Sequence, residues 1–329
     1  MKYRKLGTSG LLVSEFSFGS WITFGSQIDK AASERLQHYA YDAGVNFFDN
    51  AEAYAGGRSE EVMGEIFSES GWSRDSYIVS SKAYFGLYDN PRPNQTGLSR
   101  KHLFEACHAA LKRLRLDYLD MFFCHRPDPS VPMHEIVRTM SDLVSQGKVL
   151  YWGTSEWPAE QIIAAHECAR QWLLIPPVME QPQYSLLVRD RVEREYAPLY
   201  TRYGMGTTTW SPLAAGMLTG KYANGVPPGS RIAANDWMRA LLDGKPANGM
   251  PGWSMQAVGP LCAVAEEAGL TPARFALAWC LRNKNVSSVI LGASRVEQLE
   301  ENLKADDDVA KITPEVEAAV NRALAPICA

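Results

Sequence analysis

Eight strand signals, near residues 16–20, 45–49, 77–82, 118–124, 148–154, 177–181, 205–210 and 286–291, alternate with stretches of helical periodicity. Short β-rich apolar runs, such as those within 45–49, 77–82 and 118–124, fit buried strands of a parallel sheet. Eight alternations favour a (β/α)8 TIM barrel, an α/β fold, over an open doubly wound sheet. Helical spacing is clearest over 34–43, 103–114, 136–145, 161–172, 254–268 and 298–303. Thr271-Pro272 and Thr313-Pro314 each set a capping side chain before a proline at the first helical position, which marks two late helix starts. A barrel of this kind accommodates all 329 residues as one domain, 1–329.

Two segments stand outside the alternation. Tyr3-Arg4-Lys5-Leu6 and Leu11-Leu12-Val13-Ser14 flank the turn residues Gly7-Thr8-Ser9-Gly10, which predicts an N-terminal β-hairpin able to plug the bottom of the barrel. Residues 213–253, rich in Gly, Pro, Asn and Trp, form a loop after the seventh strand that is too long for an ordinary connection. Two readings stay open for it: a lid over a bound ligand, favoured by Trp237 and Trp253, and a solvent-exposed elaboration.

Chemistry concentrates at the strand ends. Val45-Asn46-Phe47-Phe48-Asp49 ends in an acid, with Tyr54 five positions further on; Tyr77 to Lys82 ends in a lysine, and Tyr118 to His125 in a histidine. α/β folds gather functional groups at the C-terminal ends of parallel strands, so Asp49, Tyr54, Lys82 and His125 fall into one site built by three consecutive strands. Each of them alone is more often solvated or satisfied locally. The set of four is hard to explain as packing.

In this order and spacing the four residues resemble the catalytic tetrad of the aldo-keto reductases. Asp49-Asn50-Ala51-Glu52-Ala53-Tyr54, with Ser59-Glu60 and Gly64 downstream, looks like that family's first signature. Gly97-Leu98-Ser99-Arg100-Lys101-His102, His125-Arg126-Pro127-Asp128-Pro129, Tyr151-Trp152-Gly153-Thr154-Ser155, Trp210-Ser211-Pro212-Leu213-Ala214, Ala278 to Asn283 and Leu291-Gly292-Ala293-Ser294 extend the likeness. It runs from Tyr3 to about Asn302 and is nearest to the branch containing the β-subunits of voltage-gated potassium channels and their bacterial relatives.

The resemblance implies an NADP(H)-dependent oxidoreductase that reduces small aldehydes and ketones to alcohols, with Tyr54 as proton donor. A free phenol, pKa near ~10, matches neutral pH poorly; an ammonium at Lys82, ion-paired to Asp49, would lower it. His125 would point a ring N–H at the carbonyl oxygen. Hydride has to come from a nicotinamide, since no side chain can supply it. The resembling channel subunits generally carry asparagine at the position of His125 and turn over slowly, whereas histidine belongs to the active reductases. A rival reading is a cofactor-binding, redox-sensing regulatory subunit of a membrane channel with incidental turnover. A barrel lyase or hydrolase has neither a metal-ligand cluster nor a nucleophile elbow to support it.

No Gly-x-Gly-x-x-Gly follows a strand, and Gly204-Met205-Gly206 lacks both the third glycine and the flanking helix, so a Rossmann phosphate turn is not supported. By resemblance, NADPH or NADP+ lies extended across the barrel mouth. Ser20, Trp21, Gln27 and Asp49 match positions lining the site, Ser155 and Gln181 those that hold the carboxamide, and Trp210 would stack on the nicotinamide. Ser211, Leu213, Ala214, Gly216 and Lys221 match positions along the pyrophosphate, with Arg231 on a clasping loop. Gly292, Ser294, Gln298, Glu301 and Asn302 match the adenosine end. Lys221 and Arg231, with Arg295, favour a 2′-phosphate, although Ala293-Ser294 and Gln298 replace the family's more familiar Lys-Ser and Arg. Glu156 stands where the channel subunits have arginine, and Gly229 where they have tyrosine, which alters charge beside the nicotinamide and loosens the clasp. Trp21, Tyr84, Phe85, Tyr88 and Trp157 suggest an apolar substrate pocket without a cation to fix a carboxylate or phosphate.

A net charge of −4 with both signs interspersed leaves no basic field for nucleic acid or an anionic membrane. The N-terminus lacks the apolar core of a signal peptide, and no stretch nears the ~18 apolar residues of a span, which predicts no membrane insertion and a cytoplasmic protein. Six cysteines in scattered contexts predict reduced thiols and no metal site. A homotetramer is implied by the resemblance to the channel subunits alone.

Overall fold

The computed structural model describes all residues except 224, 229, 231, 234, 248–251, 253–254 and 326–329. The hairpin pairs β1 (Tyr3–Lys5) antiparallel with β2 (Leu12–Ser14). Eight parallel strands then close a barrel: β3 (Phe16–Gly19), β4 (Phe47–Asp49), β5 (Ile78–Ala83), β6 (Leu119–Cys124), β7 (Val149–Thr154), β8 (Met179–Glu180), β9 (Gly206–Thr209) and β10 (Val286–Leu291). Neighbours pair in chain order and β10 returns to β3. Seven of the eight strands fall within the stretch expected to form them and β5 runs one residue past its own, to Ala83, so the (β/α)8 barrel with an N-terminal hairpin is what the chain builds.

Strand alternation sorts the interior by height. Side chains two apart share a face, and on the inward face the apolar member comes first and the polar one last. Phe47 precedes Asp49, Ile78 precedes Ser80 and Lys82, Met121 and Phe123 precede His125, and Met179 precedes Gln181. The lower set, Phe47, Ile78, Met121, Phe123 and Met179, packs with Leu6 and Val13 of the hairpin segment in one buried cluster. The hairpin therefore does plug the end of the barrel away from the strand C-termini. Burying each of those two side chains is worth about 1.5–3 kcal/mol. Gly204-Met205-Gly206 serves this packing: Gly7 (φ 58°) docks against it, and a Cβ on Gly206 would lie 2.4 Å from the Gly7 nitrogen. That pair of glycines admits a close backbone approach.

Between the strands run α1 (Lys30–Asp42), α2 (Arg58–Ser70), α3 (Arg100–Leu114), α4 (Met133–Ser145), α5 (Ala159–Trp172) and α6 (Ala197–Tyr203). Asp29 caps α1 and Ser99 caps α3 through side-chain acceptance of backbone N–H groups. The chain divides into two compact units; the first, Met1–Pro182, Asp190–Trp210 and Asn285–Leu299, holds the hairpin and the whole barrel.

The second unit comprises Gln183–Arg189, Ser211–Lys284 and Glu300–Ala329. The long segment after β9 is not structureless: it carries a 3₁₀ turn at Ala214–Thr219, then α7 (Asp236–Leu242) and α8 (Val258–Glu267). Helices α9 (Pro272–Arg282) and α11 (Pro314–Leu324) begin where the Thr-Pro pairs predicted, Thr271 accepting from Arg274 N and Thr313 from Val316 N, each at 3.4 Å. Trp279 is buried in this unit against the Tyr184 ring, 5.1 Å between centroids. Between α9 and α11 in sequence lies α10 (Val296–Leu303). Among the described residues no helix is long and apolar enough to cross a membrane.

Candidate active site

The C-terminal ends of β4, β5, β8 and β9 bring together one hydrogen-bonded network. Lys82 Nζ lies 2.6 Å from Asp49 Oδ2 and donates to Asn50 O at 2.8 Å and to Tyr54 OH at 3.2 Å. The Lys82 and Asp49 side chains are 0% and 4% exposed. The other Asp49 oxygen accepts from Ser80 Oγ at 2.7 Å and from Gln181 Nε2 at 3.0 Å, and Gln181 also donates to Thr208 Oγ1 at 3.2 Å. A buried ion pair survives only when its remaining bonds are met, and here they are. Burial pulls the Lys82 pKa down, but Asp49 and then Tyr54 outweigh it, and the net shift is upward. Lys82 is an ammonium.

Tyr54 opens a 3₁₀ turn in which Ala55 (φ 50°) and Gly56 (φ 59°) are left-handed, swinging its phenol onto Lys82. Its pKa is raised: burial dominates, and Lys82 opposes it without winning. The expectation of a lowered pKa therefore fails for the net value, because desolvation of a phenolate inside the barrel exceeds the pull of an ammonium already neutralised by Asp49. Tyr54 is held as the neutral acid, the form a proton donor needs.

His125 follows β6, its backbone N–H bonded to Ala83 O at 3.0 Å. Its ring meets Tyr54 edge to face at 5.9 Å and Phe85 at 5.1 Å. Burial first, then Lys82 and Arg126, hold its pKa well below 6.5, so the imidazole is neutral. Nδ1 is buried and finds no hydrogen-bond partner among the described residues. The tautomer with its proton on Nε2 leaves that atom a bare acceptor and presents a donor on the opposite edge.

An aromatic wall stands beside these groups. Trp21 lies 6.4 Å from the Tyr54 ring and meets Trp210 edge to face at 6.0 Å. Trp210 Nε1 donates to Glu156 Oε1 at 3.0 Å, and Arg191 binds the second oxygen of the same carboxylate. Glu156 sits at a left-handed φ of 60°, a conformation that costs a non-glycine residue about 1 kcal/mol or more and recurs at functional sites.

The aldo/keto reductase family model matches residues 15–324. The chain belongs to the aldo/keto reductase family. Members of that family are NAD(P)H-dependent oxidoreductases, and this one carries the Asp-Tyr-Lys-His constellation at the barrel rim. It is 47% identical over 319 residues to a "probable voltage-gated potassium channel subunit beta" of Arabidopsis thaliana, covering 95% of this chain and 94% of that one. A rice protein (Oryza sativa subsp. japonica) of the same name is 47% identical over 321 residues, 96% and 94% of the two chains. A "putative voltage-gated potassium channel subunit beta" of Schizosaccharomyces pombe is 47% identical over 315 residues, 95% and 90%.

A nicotinamide group fits the donors and acceptors that the reductase site leaves open. Among the described residues the Gln181 side chain engages protein through Nε2, which leaves its Oε1 as an acceptor. Ser155 Oγ donates to Gln181 O at 2.9 Å and keeps its own lone pairs. Ser20 Oγ is bonded to Asp49 O at 3.1 Å, which ties β3 to the network. Gln27 and Gly292 are exposed, and Ser294 bonds the Gln298 side chain through N and Oγ at 3.1 and 3.2 Å. In the second unit Ser211 (φ 54°), Ala214 (φ 45°), Ala215 (φ 52°) and Gly216 (φ 93°) are left-handed around Leu213. Lys221 Nζ lies over Gly216, where a Cβ would come within 2.7 Å of it. Asn302 is buried, and Glu301 accepts from Thr271 Oγ1 at 3.5 Å. Arg231, Gly229 and Trp253 lie outside the described residues.

Three features depart from the sequence reading of the pocket. Trp157 is 0% exposed, its carbonyl taken by Tyr196 OH at 2.6 Å, so it belongs to the core and cannot line a pocket. Glu52, inside the first signature, receives Tyr84 N at 2.8 Å, Gly86 N at 2.9 Å and His102 Nε2 at 3.1 Å. It thereby pins the backbone on both sides of Phe85, a role that only the fold reveals. A cation is also present: Arg126, next to His125, lies over the Phe85 ring. Its adjacency to His125 was legible, but the direction of its side chain was not.

Proposed function

We propose that this chain reduces small aldehydes and ketones with NADPH as hydride source. The observation that carries the reading is a neutral Tyr54 whose hydroxyl receives Lys82 Nζ at 3.2 Å within an ammonium–carboxylate pair. A bound nicotinamide supplies the hydride. Tyr54 gives its proton to the oxygen that becomes the alcohol; Lys82, held by Asp49, stabilises the phenolate left behind, and His125 donates from Nε2 to the same oxygen. Ser155 and Gln181 hold the carboxamide, and Trp210 packs the ring. The catalytic domain is taken as the whole chain, in a cytoplasmic setting.

The test is NADPH consumption by purified protein with 4-nitrobenzaldehyde and methylglyoxal. Tyr54→Phe should lower turnover about 10²–10⁴-fold while NADPH binding persists; undiminished turnover removes Tyr54 from the mechanism.

The names borne by its relatives favour a second reading, a redox-sensing regulatory subunit of a membrane channel, assembled as a homotetramer. It requires stable association with a membrane protein and NADPH occupancy, with turnover incidental. Recovery of no membrane partner on affinity capture from membranes would count against it.

A further inference from the structure

Arg126 is a half-buried guanidinium set directly after His125. Its Nη1 donates to His125 O at 2.6 Å, and its Cζ lies 5.4 Å from the centroid of Phe85, the ring that packs on the His125 imidazole. A backbone bond and an aromatic face fix the head group without neutralising it. Arginine presents five N–H donors, and this bond uses one. Among the described residues no carboxylate pairs with it. The nearest acid in sequence, Asp128, is committed elsewhere, accepting from Leu98 N at 2.9 Å, Ser130 N at 3.1 Å and Ser130 Oγ at 2.5 Å. The positive charge reaches the reacting groups, favouring the Tyr54 phenolate and the neutral form of His125. Lys82, the other nearby cation, is already matched by Asp49.

A partly desolvated cation with no counter-charge lowers stability, and a ligand that completes the pair removes that cost. A planar guanidinium beside the carbonyl-binding groups suits the two oxygens of a carboxylate or phosphate. We infer that Arg126 selects substrate: the preferred carbonyl compounds carry a carboxylate or phosphate, bound by Arg126 while Tyr54 and His125 hold the carbonyl oxygen. This deepens the reductase reading and rests on it.

The experiment compares kcat/KM within matched pairs, 4-carboxybenzaldehyde against methyl 4-formylbenzoate and glycolaldehyde phosphate against glycolaldehyde, for wild type, Arg126→Met and Arg126→Lys. Wild type should favour the charged member of at least one pair by about tenfold or more, and the favoured pair tells carboxylate from phosphate. In Arg126→Met the ratio should fall toward one through a higher KM for the charged member, with Arg126→Lys in between. A ratio cancels general damage to the fold or to His125. No preference in wild type, or an equal loss on both members in Arg126→Met, overturns the inference. Absence of turnover on the neutral members as well overturns the reductase reading itself, and this inference with it.

Discussion

Asp49→Asn removes one charge from the centre of the site and almost no volume. Lys82 would keep Asn50 O at 2.8 Å and Tyr54 OH at 3.2 Å, both neutral, at 0% exposure. Stripping one partner from a buried ion pair costs about 3–5 kcal/mol, because the other charge stays buried alone. With roughly 2.1 cal/mol/K of unfolding entropy per residue over 329 residues, each kcal/mol moves the midpoint by about 1.4 °C. The cofactor-free variant should therefore melt about 4–7 °C below wild type at neutral pH.

The pH dependence separates this cause from a generic packing defect. In wild type the folded pKa of Lys82 is raised, so its contribution is complete below the unfolded value of about 10.4 and is lost only as pH rises through the folded one. Between pH ~7 and ~9 it adds no slope. In the variant an unpaired, buried Lys82 has a depressed pKa, and the unfolded state binds the extra proton. Stability should then rise with pH by up to about 1.4 kcal/mol per unit until pH ~10.4. Thermal melts followed by circular dichroism at two pH values read both quantities, and the Asp49→Leu/Lys82→Met double variant should recover most of the loss. A melt within a degree of wild type at neutral pH, or a gap that widens as pH rises, would refute the argument.

Two further outcomes follow from the site. His125→Asn should lower aldehyde turnover on the order of 10²-fold in kcat with NADPH binding kept. Because His125 is held neutral well below 6.5, wild-type kcat/KM should show no inflection near that pH; one that disappears in the variant would mean the ring titrates in the ordinary range. Glu156→Ala removes the acceptor of the Trp210 indole and the partner of Arg191, and the NADPH dissociation constant, read by quenching of protein fluorescence, should rise about tenfold. Glu156→Gln keeps an acceptor and should lose less; equal binding in all three forms would show that Trp210 is held without Glu156.

What could be read in advance follows from period and position. The strands around β4 and β6 announce themselves as short apolar runs, whereas β9 (Gly206-Thr207-Thr208-Thr209) is legible only from its place in the alternation; the inward two-residue period then delivers Asp49, Lys82 and His125 to one rim. Helix α2 was harder: Val62, Met63, Ile66 and Phe67 give it a buried stripe, but it starts straight after Gly56-Gly57, in a stretch that read as signature rather than as helix. Tyr54 shows the limit for electrostatics. Its neighbours in sequence say which charge is close, but not how far burial outweighs it. Trp157 and Arg126 fail for the same geometric reason: each lies beside a predicted site residue, and only the fold decides that one turns into the core and the other toward Phe85.

The two functional readings place different demands on these residues. Sensing cofactor occupancy needs affinity, which the contacts proposed for Trp210, Ser155 and Gln181 would provide without help from a phenol or an imidazole. Nothing in that task calls for Lys82 to be 0% exposed, or for His125 Nδ1 to stay buried and unbonded. Both features weaken the fold, since apolar replacement of a buried pair is often neutral or stabilising, and an unmet buried acceptor costs about 1–3 kcal/mol. Proton delivery to a carbonyl oxygen gives each a purpose: a fixed ammonium receives the phenolate, and a bare Nδ1 commits the ring proton to Nε2. A regulatory partner could be added to such a site, but it would not explain the site's construction.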